Sequence, residues 1–175
     1  MHCESRLKVG MFGTLYFLGF LISSLIFPPM SDRVGRKKMF MLGAFAQVFT
    51  FLGMLFFKTL TSHYLLIFSL GVSQPVKTMI AYTHMMEFLP DRESMVSGTF
   101  MCLDGLIYFY SPLFFKNLSN NLDVIILLAF LMNLFGIIGF LIIKVPESLK
   151  FLITNGQIDR FWEDYTRLEA LNGAS

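Results

Sequence analysis

Long apolar runs, separated by short polar stretches, dominate this chain. A helix needs roughly 20 apolar residues to cross the hydrocarbon core of a bilayer. The runs are continuous over about that length, whereas the strands of a membrane barrel alternate over segments of about ten residues. The sequence therefore predicts an all-α fold, a polytopic transmembrane helical bundle with about five spans. The predicted spans are residues 9–30, 39–57, 64–89, 95–115 and 124–143.

The charge content and the two ends of the chain agree with this interpretation. Charged residues make up 15% of the chain, against about 25% in a typical soluble domain. Residues 1–8 form a polar external segment, and the apolar run after them is too long for the h-region of a signal peptide. Residues 144–175 form a polar tail, in which charged and apolar residues alternate over 159–171. That alternation predicts a short amphipathic helix.

The Lys and Arg residues of the short loops predict the orientation in the membrane. One side carries nine cations and the other four, so we expect the nine-cation side to be cytoplasmic. The N-terminus is then outside and the C-terminus inside, and we expect the plasma membrane rather than an organelle. The nine are Arg33, Arg36, Lys37, Lys38, Arg92, Lys144, Lys150, Arg160 and Arg167; the four are Arg6, Lys8, Lys58 and Lys116.

The stretch 31–38, with the sequence SDRVGRKK, joins the first two predicted spans. Gly35 permits a backbone conformation that is closed to other residues. Asp32 can accept hydrogen bonds from backbone donors at a helix start, or pair with a cation. The three cations that follow Gly35 hold the loop on the cytoplasmic side. A solvated turn that only obeys the positive-inside rule is the alternative.

This stretch resembles the signature loop between helices two and three of the major facilitator superfamily. The resemblance implies a role in conformational gating for its matching residues. The family pattern has Gly four residues before the Asp, where this chain has Pro28. The gating candidates are Asp32, Arg33, Gly35, Arg36 and Lys37.

Two further stretches resemble cytoplasmic motifs of the same superfamily. Glu87 and Pro90 match a Glu-x-x-Pro segment that ends helix four in sugar-porter-like members, although Ser94 stands where the family has Arg. The stretch 146–152 looks like the segment that follows helix six, with Lys replacing the family's Arg. Its matching residues are Pro146, Glu147, Ser148 and Lys150.

The order of the three motifs covers nearly the whole chain. The stretch 168–173 is also similar to the organic cation and anion transporter branch. The resemblance implies the N-terminal half of a major facilitator fold, from helix two to just past helix six. That is an incomplete N-terminal bundle, so we expect the chain to be a fragment of a longer transporter.

Ionisable residues inside a span are costly and need a reason. Lys77 and Asp104 lie near the middle of the third and fourth spans, at similar depth. They line an aqueous cavity that binds a solute or a proton, or they form a buried ion pair that only neutralises itself. Gln74, Tyr82 and Tyr108 are further cavity candidates through the resemblance, and packing or interfacial roles are the alternative for each.

Small residues in the spans suit close packing of transmembrane helices. The glycines that fit this pattern are Gly10, Gly13, Gly19, Gly136 and Gly139. Asn117 begins a glycosylation sequon on the predicted outer side.

Enzymatic chemistry finds little support in the sequence. The three histidines lack metal-ligand spacing, and no nucleophile elbow or phosphate loop is present. Cys3 and Cys102 form no disulfide or zinc framework. The net charge of +2 is too small to indicate nucleic-acid binding. We therefore expect no enzyme activity, no cofactor and no bound metal.

The resemblance implies transport of a small organic solute, an organic ion or a sugar, by alternating access. The alternative is a non-transporting membrane subunit or regulatory fragment of a transporter. The expected partners are the lipid bilayer, a small-molecule solute and a second transporter half.

Overall fold

The computed structural model describes residues 6–88, 94–95, 97–99, 101–102, 106, 122–143 and 145–172. Six continuous helices account for most of them. They are α1 (Arg6–Val34), α2 (Arg36–Phe56), α3 (Leu60–Phe88), α4 (Leu122–Ile143), α5 (Leu149–Thr154) and α6 (Ile158–Asn172). Of these, α1 to α4 are long and apolar enough to cross a membrane. The all-α, multi-pass fold class is thereby confirmed, while most of the predicted span 95–115 lies outside the described residues.

The predicted loop 31–38 is almost entirely helical. The helix α1 continues through Pro28 and Pro29 to Val34, and α2 begins at Arg36. Only Gly35 interrupts the two helices, with a φ of 111°. Its N–H still donates to the Ser31 carbonyl at 3.0 Å. The connection is therefore a one-residue break in helical backbone, which fixes the direction of α2 more tightly than a loop would.

The helix α3 lies at the centre of the described bundle, with α1 and α2 packed against it. The α1–α3 crossing is very close, because a Cβ added at Gly19 would lie 2.6 Å from the Phe68 carbonyl oxygen. Polar side chains also link the helices. Ser23 donates to the Val72 carbonyl at 2.6 Å. Such small residues and interhelical hydrogen bonds stabilise helix pairs where lipid removes the hydrophobic driving force.

Two small clusters of buried side chains complete the packing. One joins α2 to α3 through Met39, Val76 and Ile80. The other joins α2 to α4 through Ala44, Val48 and Ile137. Large apolar side chains point outward instead. The most exposed of them include Phe49, Phe56, Met132, Phe135 and Ile142. Such an inside-out distribution suits a lipid environment.

Candidate functional site

Arg36, the first residue of α2, bridges carboxylates from two neighbouring helices. Its Nη2 lies 3.0 Å from Asp32 Oδ1, and its Nη1 lies 2.5 Å from Glu87 Oε1. Nη1 also donates to the Thr83 carbonyl at 3.5 Å. The Arg36 and Glu87 side chains are only 12% and 16% exposed, whereas Asp32 is 61% exposed. Arg36 therefore ties the end of α1 to the end of α3, chiefly through the shielded contact with Glu87.

The segment before α5 joins this cluster from far along the sequence. The buried Ser148 hydroxyl donates to Glu87 Oε2, and its oxygen caps α5 by accepting from the Phe151 N–H at 3.3 Å. Glu147 Oε1 accepts from the Lys37 N–H at 3.0 Å. A free N–H in the first turn of α2 is thus satisfied by a carboxylate, which also complements the helix dipole.

Gly35 is required where α2 meets Glu147. Its φ of 111° is unfavourable for residues with a side chain. A Cβ at this position would also lie 3.0 Å from Glu147 Oε2. The glycine predicted from the motif therefore allows both the change of direction and the close approach of the carboxylate.

We call this cluster the cationic-end network, and it contains most of the candidates from the three motifs. Its members are Asp32, Gly35, Arg36, Lys37, Glu87, Glu147 and Ser148. Lys37 takes part through its backbone. The Arg33 and Lys150 side chains are exposed and make no hydrogen bond or ion pair with described residues. Pro146 lies just before Glu147, and Pro90 lies outside the described residues.

A second polar cluster lies within the membrane-spanning part, between α2, α3 and α4. Lys77 Nζ donates to Asn133 Oδ1 at 3.3 Å, and Asn133 Nδ2 donates to the Ala44 carbonyl at 3.2 Å. Gln47 Nε2 donates to Gln74 Oε1 at 2.9 Å. These side chains line a cavity of about 480 Å³. The structure thus places Gln74 and Lys77 on one wall, which we call the polar wall.

The other three residues predicted to line the cavity are not among the described residues of its lining. One lies elsewhere in the structure and two lie outside the described residues. The Tyr82 hydroxyl donates to Ser97 Oγ at 3.1 Å, and Tyr82 does not line this cavity. Asp104 and Tyr108 lie outside the described residues. The pairing of Lys77 with Asp104 therefore stays a prediction.

Gln47 and Asn133 belong to the polar wall but were not among the candidates from the sequence. Both are uncharged, so a search for intramembrane charges passes over them. A search for buried amides within apolar spans could have found them, because polar residues there generally face protein or a cavity.

The polar wall can bind a solute through hydrogen bonds and charge. An ammonium group has three donors, and Lys77 uses one of them on Asn133 within the described part of the chain. The buried Gln47 Oε1 has no hydrogen-bond partner among the described residues. Among the described residues they therefore leave donors and an acceptor unused inside the predicted membrane spans. No group of three metal-ligating side chains occurs among the described residues.

Comparison with known proteins gives a consistent family match. Residues 4–161 match the model of the Major Facilitator Superfamily. A "Solute carrier family 22 member 15-like" protein of Xenopus tropicalis is 27% identical over 154 residues, which cover 85% of this chain and 30% of the relative. The human "Steroid transmembrane transporter SLC22A24" is 27% identical over 182 residues, which cover 98% of this chain and 31% of the relative. The chain thus spans about 30% of the length of these curated relatives.

Proposed function

Because the chain belongs to the Major Facilitator Superfamily, we propose that it forms part of a secondary transporter that moves a small organic solute across the membrane by alternating access. The polar wall is the observation that carries this proposal. A lysine and three amides at membrane depth are costly in lipid and typically mark a solute or ion pathway. In transporter folds such sites lie near the bilayer midplane.

The cationic-end network supplies a gating element in this proposal. It joins the ends of α1 and α3, the start of α2 and the segment before α5 through one arginine, three carboxylates and the Ser148 hydroxyl. In the structure the network is linked, and its separation would supply the second arrangement that a conformational switch needs. We place this end on the cytoplasmic side because it carries most of the loop cations.

The relatives suggest which solutes to test first. One human relative is named a steroid transmembrane transporter, so a steroid leads the panel. Because the motifs resemble those of organic-ion and sugar transporters, the panel also includes an organic cation, an organic anion and a sugar.

Replacing Lys77 is expected to reduce uptake, since it removes the one cation of the polar wall. We expect Lys77→Met to lower uptake by about tenfold, the effect of losing about 1.4 kcal/mol of binding free energy. The measurement is uptake of each radiolabelled solute by cells that express the chain, relative to cells with an empty vector. Membrane levels of each variant are matched by immunoblot.

The control is Lys58→Gln, which removes a cation from the connection between α2 and α3, away from the polar wall. Lys58 is half exposed and pairs with the exposed Asp123, and surface pairs contribute little. We expect its uptake to match the wild type. Full uptake by Lys77→Met would contradict the role of the polar wall. Wild-type uptake no greater than that of the empty vector, for every solute, would reject transport by the chain on its own. It would leave a non-transporting subunit or a fragment that needs a second transporter half.

A further inference from the structure

A large groove opens beside the cationic-end network, and the transport proposal does not use it. It has a volume of about 960 Å³ and lies between the start of α2, the end of α4 and the tail helices α5 and α6. Its charged wall carries four cations and two acids. The cations are Arg33, Lys37, Lys38 and Arg160, and the acids are Glu147 and Asp164.

The cations of this groove form no ion pair within the described part of the chain. Within the described part of the chain, the side chains of Arg33, Lys37 and Lys38 make no hydrogen bond or ion pair. Arg160 donates only to the neutral Gln157 Oε1, at 3.2 Å. Arg36, by contrast, contacts two carboxylates. Like charges that form no ion pair repel one another, so an anion in the groove would be bound favourably.

The acids do not cancel this charge. Glu147 Oε1 already accepts hydrogen bonds from the N–H groups of Lys37 and Ser148, at 3.0 and 3.3 Å. Four cations against two acids leave the groove with a net positive charge. The groove therefore favours an anionic ligand.

The other wall of the groove is apolar and belongs to the membrane-spanning helices. Met41 comes from α2, while Phe140 and Leu141 come from the last turn of α4. Leu141 is 53% exposed. The groove thus runs from a cationic surface directly onto apolar side chains at the membrane boundary. A ligand that fills it needs a negatively charged group and an apolar part.

The helix α6 adds an independent sign that this region meets the membrane surface. Next to Arg160 it carries the rings of Phe161, Trp162 and Tyr165, whose centroids lie 5.4–6.0 Å apart. Trp162 is 59% exposed. Trp and Tyr are enriched at the membrane–water interface, so these rings fit a position of α6 at the membrane surface, although α6 also carries the acids Asp159, Glu163 and Asp164.

We propose that this groove binds the headgroup phosphate of an anionic phospholipid, with its acyl chains against α2 and α4. Basic pockets between spanning helices on the cytoplasmic side are suited to such lipids. The apolar wall favours a lipid over a free phosphate, which would leave it uncovered. The proposal concerns a second site, separate from the polar wall, and it does not depend on transport.

Native mass spectrometry of the purified chain tests the proposal. The chain is mixed with equal amounts of phosphatidylserine and phosphatidylcholine that have the same acyl chains, and the bound lipids are counted. We expect the wild type to retain phosphatidylserine preferentially. In the double variant Lys38→Gln/Arg160→Gln the preference should fall by about fivefold for each cation removed, since each contributes about 1 kcal/mol near an anionic lipid.

The matched control removes two cations from the opposite end of the helices, in Lys8→Gln/Lys58→Gln. It should keep the wild-type preference, and equal loss in both double variants would overturn the assignment to this groove. If Lys38→Gln/Arg160→Gln does not fold, Arg160→Gln alone replaces it, because Arg160 lies on an exposed tail helix. An unchanged preference in the folded variant would also overturn the proposal.

A competition experiment distinguishes binding of a lipid from binding of a soluble anion. Inorganic phosphate is added in large molar excess to the wild-type complex. We expect the phosphatidylserine to stay bound, because phosphate lacks the apolar part that covers α2 and α4. Complete displacement by phosphate would show that the groove binds a soluble anion, and the lipid proposal would fail.

Discussion

Replacing Arg36 with glutamine is expected to lower the free energy of unfolding by about 3 kcal/mol, the usual cost of leaving a shielded charge without its partner. The reason is Glu87, which is 16% exposed and lies 2.5 Å from the Arg36 guanidinium. Without Arg36, the described partner that its carboxylate keeps is the uncharged Ser148 hydroxyl. Chemical unfolding of the purified chain in detergent, followed by circular dichroism, measures the loss.

A second substitution distinguishes the ion pair from a general effect of changing Arg36. In Arg36→Gln/Glu87→Gln no shielded charge is left unpaired, because the other partner of Arg36, Asp32, is 61% exposed. We therefore expect about 2 kcal/mol of the loss to return. The control is Lys150→Gln, since Lys150 is exposed and outside the network. It should unfold like the wild type. Equal losses in Arg36→Gln and in the double variant would show that the pair with Glu87 contributes nothing.

Gly71→Ala is expected to cost about 3 kcal/mol, at the upper end for overpacked sites. A Cβ on Gly71 would overlap the Tyr16 carbonyl oxygen on α1. That neighbour is backbone and cannot rotate away, so α1 and α3 would have to separate along their whole contact. Thermal unfolding of the purified chain, with resistance to protease as a second readout, measures the effect.

Gly136→Ala is the matched control for this prediction. It also adds one methyl group to a glycine in a membrane-spanning helix, but no described atom lies within 4 Å of the new Cβ. The higher helix propensity of alanine should leave it as stable as the wild type or slightly more so. If Gly71→Ala were as stable as Gly136→Ala, the close α1–α3 crossing would be wrong.

The helical elements could be predicted from the sequence because lipid demands long apolar segments. The superfamily predicted from the three motifs is likewise confirmed by the family match. The helical character of 31–38 was not anticipated. Cations and a glycine suggest a turn, but one left-handed residue, Gly35, is enough to separate two helices.

The contacts between the motifs could not be predicted from their order along the chain. Lys37 and Glu147 lie 110 residues apart, and nothing in the local sequence at either position shows that a carboxylate from one caps the helix of the other. The resemblance identified the residues, but their approach to hydrogen-bond distance depends on how α1, α2, α3 and the segment before α5 pack together.

Depth in the membrane is readable from the sequence, while direction around a helix axis is much harder to predict. Lys77 was predicted to lie near the middle of its span, and its described partner is Asn133 of α4, which the sequence did not indicate. The glycine pattern was right at Gly19, which lies against the backbone of α3. A Cβ at Gly10, Gly13, Gly136 or Gly139 would meet no described atom within 4 Å, whereas Gly71, which the pattern did not single out, also lies against backbone.

The central claim is that the polar wall faces an aqueous cavity that binds the transported solute. Labelling with a membrane-impermeant thiol reagent tests it most directly, in a chain whose Cys3 and Cys102 are replaced by serine. Thr78 lines the cavity, while the next residue, Met79, is exposed on the outer surface of α3. The account predicts that Thr78→Cys reacts readily, that solute slows its reaction, and that Met79→Cys reacts little. Thr78→Cys reacting no faster than Met79→Cys, with no protection by any solute of the panel, would contradict it.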